Sequence, residues 1–318
     1  MALRISTGPH LRTETTTQGI MLHVIIALMP TAIAGVYLFG IRVAGILISS
    51  VASAVLTEFL WQKLTKKPVR IHDLSCVVTG LILGLNMPST VSWWIPAFGS
   101  AIAILIAKQL FGGLGHNFIN PAMFGRAVLL ASWPVAMTGS AMPHRFFGKT
   151  SANLPADAVT SATVLPSLNA TGNTDYSLQD LLLGNMPGAI GEVCKVAILI
   201  GFVYLLITGV ITWHIPVCFA GSAVLMGWLL GVSPMATLLS GGLLFGAVFM
   251  ATDYVTNPML RTGEIIFGIL GGALVAIIRK FGAYPEGVTY AILLMNIATP
   301  LIDRCTRRKI YGEVKQHA

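Results

Sequence analysis

Asp157, Thr160, Ser161, Ala162 and Thr163 are the residues whose types and spacing point most directly to chemistry. They lie in the stretch Asp157-Ala158-Val159-Thr160-Ser161-Ala162-Thr163, inside the one long polar loop of an otherwise hydrophobic chain. The segment is small and hydroxyl-rich, with an acidic residue at a fixed offset from its last hydroxyl. A modifying enzyme could take it into an active site, where Thr163 Oγ would act as a nucleophile toward a phosphate-containing donor. A polar loop with Ser and Thr in chance positions has the same local composition. The surroundings must decide between the two.

Those surroundings read as a membrane protein. Of 318 residues, 55% are hydrophobic and only 10% charged, with a mean hydropathy of +0.78. Soluble domains carry about 25% charged residues. Met21–Gly40, Val43–Leu60, Val196–Thr212 and Ile215–Leu230 reach or approach the length needed to cross a hydrocarbon core of about 30 Å as helix. Ten spans are expected, near 21–40, 43–60, 74–87, 95–110, 119–133, 193–212, 215–230, 236–251, 264–278 and 287–302. No cleavable signal peptide is evident, because 1–18 is polar and the first apolar run is long and lacks a small-residue cleavage site. The chain then divides into an N-terminal segment 1–20, a membrane half 21–137, a polar loop 138–192, a second membrane half 193–303 and a basic tail 304–318.

The net charge of +8 is explained by orientation rather than by nucleic acid. With a cytoplasmic N-terminus, thirteen Lys and Arg fall on that side, Lys108 among them. Six fall on the other: Arg42, Arg145, Lys149, Lys195, Arg279 and Lys280. This is the asymmetry of the positive-inside rule. Both termini are then cytoplasmic and the Thr163 loop extracytoplasmic. No Rossmann or P-loop signature stands in a strand–turn–helix context, so soluble nucleotides fall to partners. Cys76, Cys194, Cys218 and Cys305 are scattered without a C-x-x-C and read as small buried hydrophobes, not as metal or cluster ligands. His116 and His214 read as interfacial hydrogen-bonding groups, since no second ligand stands three or four residues away.

A weak internal repeat is present. Gly80-Leu81-Ile82-Leu83-Gly84 matches Gly242-Leu243-Leu244-Phe245-Gly246, and Phe111-Gly112 recurs as Phe281-Gly282. Five spans per half, an odd number, would set the halves in opposite orientations. Spans three and eight are short and glycine-rich. Spans five and ten follow polar turns and carry Arg126 and Asn296. Such interruptions at matching positions point to a midplane cavity between half-helices. Glycine-mediated helix packing accounts for them equally well. The candidate cavity residues are Gly84, Asn120, Arg126, Gly246, Asp253 and Asn257. Arg126 is a functional flag because charge at membrane depth is expensive, the alternative being a side chain that snorkels to the interface. Asp253 would coordinate a cation or cap its own turn.

Further stretches together resemble one family. They are Lys108-Gln109-Leu110-Phe111-Gly112-Gly113-Leu114-Gly115-His116-Asn117 with Asn120-Pro121-Ala122-Met123, then Trp213-His214-Ile215-Pro216, then Thr252-Asp253 with Thr256. To these add Phe281-Gly282 with Tyr284-Pro285 and Gly287, and Pro300-Leu301-Ile302-Asp303 with Tyr311-Gly312. From Arg4 to Gly312 the chain resembles the D subunits of Rnf complexes, which are ion-pumping ferredoxin:NAD oxidoreductases. It resembles more distantly the B subunits of sodium-pumping NADH:quinone reductases. In these relatives a flavin transferase hangs FMN by a phosphoester on the last hydroxyl of the acceptor sequence. That sequence often reads Ser-Gly-Ala-Thr there, and here it reads Thr160-Ser161-Ala162-Thr163.

The resemblance implies an all-α integral membrane protein of about ten transmembrane helices in two inverted five-helix repeats, a urea-transporter-like scaffold. It implies FMN on Thr163, with Asp157 recognised by the transferase, and a non-covalent riboflavin as a candidate for the cavity. It implies a bacterial inner membrane and a six-protein Rnf assembly with the A, B, C, E and G subunits, coupling electron flow to Na+ or H+ movement. The B subunits of the quinone reductases usually bear a longer N-terminal extension, whereas the first span here starts near residue 21. A urea-channel-type transporter without redox chemistry would have no use for the acceptor motif.

Overall fold

The computed structural model describes residues 15–143, 160–161, 165, 168, 172, 176–282 and 286–307. Among them the chain is mostly helical. The first half holds α1 (Thr17–Phe39), α2 (Ile41–Leu64), α3 (Ser75–Leu85), α4 (Trp94–Ile102), α5 (Pro121–Ser132) and α6 (Pro134–Thr138). Helix α4 continues as a π-helix over Ala103–Gln109. Two short antiparallel strands follow, β1 (Ser140–Ala141) and β2 (Thr160–Ser161). The second half holds α7 (Leu178–Leu183), α8 (Lys195–Ile207), α9 (His214–Leu229), α10 (Pro234–Leu239), α11 (Leu243–Phe245), α12 (Arg261–Phe281) and α13 (Val288–Thr306).

Local sequence sets these boundaries. Thr16 caps α1, its Oγ1 accepting from Gly19 N at 3.1 Å. Gly40 alone joins α1 to α2, with a φ of 87° that side-chain-bearing residues rarely adopt. Asp73 Oδ1 accepts from both Ser75 N and Ser75 Oγ at the entry to α3. Asn120 caps α5, its Oδ1 accepting from Ala122 N and Met123 N, and Pro121 occupies the first helical position.

The eighth span, expected near 236–251 as short and glycine-rich, is interrupted: α10 ends at Leu239 and the chain turns through Ser240 and Gly241. It then resumes as α11 and passes into a π-helix, Gly246–Met250. Gly241 at φ 59° permits the turn. Within the polar loop, Ser177 caps the short helix α7. Pro88 also bridges Ala189.

Helices α1, α2 and α12 are long and apolar enough to cross a membrane, and α3, α4 with its π extension, α5, α8 and α9 are shorter apolar helices. Large apolar side chains such as Ile33, Ile48, Ile207 and Trp228 face outward, as a lipid-facing surface requires. Inside, α2 packs on α3 and α4 in the first half, and α9 packs on α10 and α12 in the second. Across the halves, α1 packs on α8 and α5 on α13. Glycine allows the closest approaches: a Cβ on Gly272 would lie 2.0 Å from Phe219 O, and one on Gly201 2.3 Å from Ala27 O. The cysteines depart from expectation, because Cys76 is buried but Cys194 and Cys218 are only partly so. Cys305, near the C-terminal end of α13, is exposed.

Candidate functional site

Two polar clusters lie at the two ends of α3. The first, at its C-terminal end, is centred on Arg126 in the second turn of α5. The Arg126 side chain does not snorkel outward. It is 3% exposed and turns into the protein. Its Nη1 donates to Asn86 Oδ1 and lies 3.4 Å from Glu192 Oε1, and its Nη2 donates to Glu286 Oε2. Asn86 Nδ2 in turn donates to Ile82 O at 2.7 Å. The guanidinium therefore draws together the end of α3, α5, the segment before α8 and the turn before α13.

Behind Glu192 stand two more buried cations. Lys195 Nζ donates to the carbonyls of Glu192 and Gly241, the latter at 2.9 Å. Arg279 donates to Thr237 O at 3.1 Å and Ser240 O at 3.2 Å, two carbonyls at the C-terminal end of α10. A broken helix leaves such carbonyls without intrahelical partners, and cations there also meet the negative end of the helix dipole. Lys195 and Arg279 thus satisfy the break in span eight. They are not the exterior charges that the sequence suggested.

Beside Arg126 is a cavity of about 30 Å³ lined by Asn86, Leu130, Met137, Ser140, Thr289 and Tyr290, among others. Ser140 belongs to β1 and lies opposite Ser161 of β2, with Ala141 opposite Thr160. Thr160 and Ser161 of the acceptor segment thus pair with a strand that lines this cavity. Asp157, Ala162 and Thr163 lie outside the described residues.

The second cluster is at the N-terminal end of α3. Lys108, in the π-helix, is 2% exposed and donates to Glu58 Oε2 at 2.7 Å and to Ser75 Oγ at 2.6 Å. Gln62 Nε2 donates to the other Glu58 oxygen at 3.2 Å. A cavity of about 80 Å³ adjoins it, lined by Ser75, Thr79, Lys108, Asn120, Phe249 and Asp253 among others. Both halves contribute to its wall. Asn120 links two helix breaks, since it caps α5 while its Nδ2 donates to Met250 O at the end of the second π-helix, at 3.2 Å. Asn296, with its amide turned so that both atoms are satisfied, accepts from Asn120 N at 3.0 Å.

Asp253 lies in the turn after that π-helix, outside the helical spans. Its Oδ2 accepts from Thr256 Oγ1 at 3.3 Å, which fits the turn-capping reading. Burial pushes its carboxyl up to about 6, against the opposing effect of hydrogen bonds from Val255 and Thr256.

The remaining candidates fall elsewhere. Gly84 and Gly246 line neither cavity. A Cβ on Gly84 would lie 3.0 Å from Leu47 of α2, and one on Gly246 2.4 Å from Val288 of α13, so both serve close packing. Asn257 lies beside Pro258, away from both cavities, with its Oδ1 buried and unpartnered. His214 Nδ1 is 3.6 Å from Glu264 Oε2, and His116 is exposed. Sequence reasoning missed Glu58, Glu192 and Glu286. The available signal was an acid at the edge of, or within, an apolar run, matched to Lys108 or Arg126.

Helices interrupted at depth, with ion pairs buried at the interruptions, define an integral membrane protein of the kind that builds polar sites within the bilayer. Within that class, the chain belongs to the NQR2, RnfD, RnfE family, whose model matches residues 4–312. Over 318 residues it is 45% identical to the D subunit of the Na(+)-translocating ferredoxin:NAD(+) oxidoreductase complex of Acetobacterium woodii, covering 98% of this chain and 96% of that one. It is 41% identical to the D subunit of the proton-translocating ferredoxin:NAD(+) oxidoreductase complex of Clostridium ljungdahlii, with 97% and 96% coverage. It is 37% identical to the D subunit of the ion-translocating oxidoreductase complex of Cronobacter sakazakii, with 98% and 99% coverage.

The buried Lys108–Glu58 pair yields a test of what holds the second cluster. Lys108→Met leaves Glu58 uncompensated, and Glu58→Gln does the same to Lys108. Each is expected to cost about 3–5 kcal/mol, whereas replacing both together recovers much of the loss. Thermal unfolding of the four proteins in detergent reads the coupling. Strictly additive losses would show that the two side chains do not depend on each other.

Proposed function

We propose that this chain is the D subunit of an ion-translocating ferredoxin:NAD oxidoreductase complex and that it carries FMN on Thr163 through a phosphoester. The observation that carries the reading is the Asp157–Thr163 acceptor pattern in a chain whose near-full-length relatives bear that name. FMN, when attached, supplies reversible electron acceptance. This chain supplies the hydroxyl that anchors it, the β1–β2 pairing that sets Thr160 and Ser161 beside Ala141 and Ser140, and a polar cavity lined by Ser140. Ferredoxin and NAD are handled by other proteins of the complex, and a flavin transferase performs the attachment.

Packing supports the two-repeat scaffold. Spans two, three and four associate as spans seven, eight and nine do, and span one meets six as five meets ten, as expected of two repeats related by a pseudo-two-fold axis. The two π-helices do not follow the repeat, since one extends span four and the other belongs to span eight. The cavity lined by Asn120 and Asp253 is the candidate route for the coupling ion or seat for a riboflavin. Relatives named for Na+ and for H+ are nearly equally similar, so the ion is set by detail within the family.

The orientation proposed is a bacterial inner membrane with both termini cytoplasmic and the acceptor loop outside. Setting aside Lys108, Lys195 and Arg279, which are buried, leaves twelve Lys and Arg on the cytoplasmic side against four on the other.

Two measurements test these readings. Thr163→Ala is expected to abolish flavin fluorescence of the denatured protein in a gel while the chain still reaches the membrane, and Thr163→Ser to retain some. Undiminished fluorescence in the alanine variant would refute the attachment site. A protein colourless in its natural form would favour a transporter without redox chemistry. For orientation, Asn173→Cys should react with membrane-impermeant maleimide in intact right-side-out cells. Reaction only after permeabilisation would reverse the assignment.

A further inference from the structure

Three residues that line the cavity beneath β1 each hold a buried polar atom without a hydrogen-bond partner: Arg126 Nε, Ser140 Oγ and Thr289 Oγ1. Their residues are 3%, 2% and 1% exposed, so bulk water does not satisfy them. One orphaned buried group costs about 1–3 kcal/mol, and native interiors seldom tolerate one without a reason. Three around a single cavity mark a place where a polar partner belongs.

The chemistry of that partner can be read from the donors. The Arg126 Nη atoms are committed to Asn86, Glu192 and Glu286, which leaves Nε held in place as a donor only. The two hydroxyls can each donate or accept. The set therefore fits an edge presenting two acceptors and one donor. The pyrimidine edge of an isoalloxazine ring has this pattern, with two carbonyl oxygens flanking an imide N–H. Leu130 and Met137 line the same cavity and supply apolar surface for a ring face. A cavity of about 30 Å³ admits the edge of the ring rather than its whole body. Reach is also satisfied. Ser140 lies opposite Ser161, and Thr163 is two residues farther along, at most about 7 Å of chain.

We infer that this cavity seats the hydrogen-bonding edge of the flavin carried on Thr163, with Arg126 Nε, Ser140 Oγ and Thr289 Oγ1 as its contacts. The inference rests on the proposal that Thr163 is flavinylated. Arg126 and the two hydroxyls are then positioning residues that also tune the flavin. Reduction adds negative charge to the pyrimidine half of the ring, and donors to a charged acceptor bind more strongly than donors to a neutral one. Their loss should disfavour the reduced form.

The test uses the full-length chain matured by the flavin transferase, titrated with dithionite and followed by visible absorbance. Acid precipitation separates attached flavin from extractable flavin. The double variant Ser140→Ala/Thr289→Val, which removes little volume, should keep its acid-stable flavin. Its equilibrium should shift at least tenfold toward the oxidised form, about 30 mV for a two-electron couple. Arg126→Lys keeps the charge but loses the planar fork, and should shift it the same way. Even if that variant fails to fold, the double variant decides the matter. Full flavin content with an unchanged potential would overturn the inference and leave an ordered water as the occupant. A shift confined to extractable flavin would overturn it too, by assigning the cavity to free riboflavin. Absence of acid-stable flavin from the unaltered chain would instead refute the Thr163 proposal, and the inference with it.

Discussion

Arg126 paired with Glu192 and Glu286 is the interaction on which the interior depends. A cation within a membrane domain is tolerated only when its charge and its N–H groups are met by protein. Here the partners come from separate parts of the chain, one carboxylate before α8 and the other before α13. Meeting that requirement fixes the first membrane half against the second. It also places Glu192 where Lys195 and Arg279 gather, and those two cations satisfy carbonyls around the break between α10 and α11. The interruption and the charges account for each other. The broken helix needs donors, and the buried donors need acceptors.

Helix α3 sets the spacing of the two polar sites. With eleven residues it is about 16 Å long, roughly half a hydrocarbon core. Ser75 at its start joins the Lys108–Glu58 pair, and Asn86 just past its end joins Arg126. One cavity therefore adjoins each end. The apolar body of α3 separates them, packed so closely on α2 that a Cβ at Gly80 would lie 2.8 Å from the Val51 backbone.

The membrane class and the positions of most helices were legible in the sequence because each is a local property. Long apolar runs, a Thr or Asn before a helix and a short motif need no knowledge of the fold. Arg126 was legible as an anomaly, but its partners were not. Glu286 stands 160 residues away, and nothing local links the two. Lys108, Lys195 and Arg279 were read as exterior charges because they sit near the ends of apolar runs, where burial and exposure look alike in one dimension. The glycines were half legible. Gly84 and Gly246 were singled out as unusual, and the structure packs them closely against α2 and α13. The break in span eight was signalled by Ser240-Gly241-Gly242 within an apolar run, but the sequence alone did not place the turn.

The central claim is that an otherwise hydrophobic chain keeps one polar segment for covalent attachment of a flavin. Mass spectrometry of the proteolytic peptide spanning Asp157 to Thr163, taken from the purified complex, tests it most directly. The account predicts a peptide heavier by one FMN less one water, with fragmentation placing the addition on Thr163. An unmodified peptide recovered in stoichiometric yield, or an addition placed on Thr160 or Ser161, would contradict it.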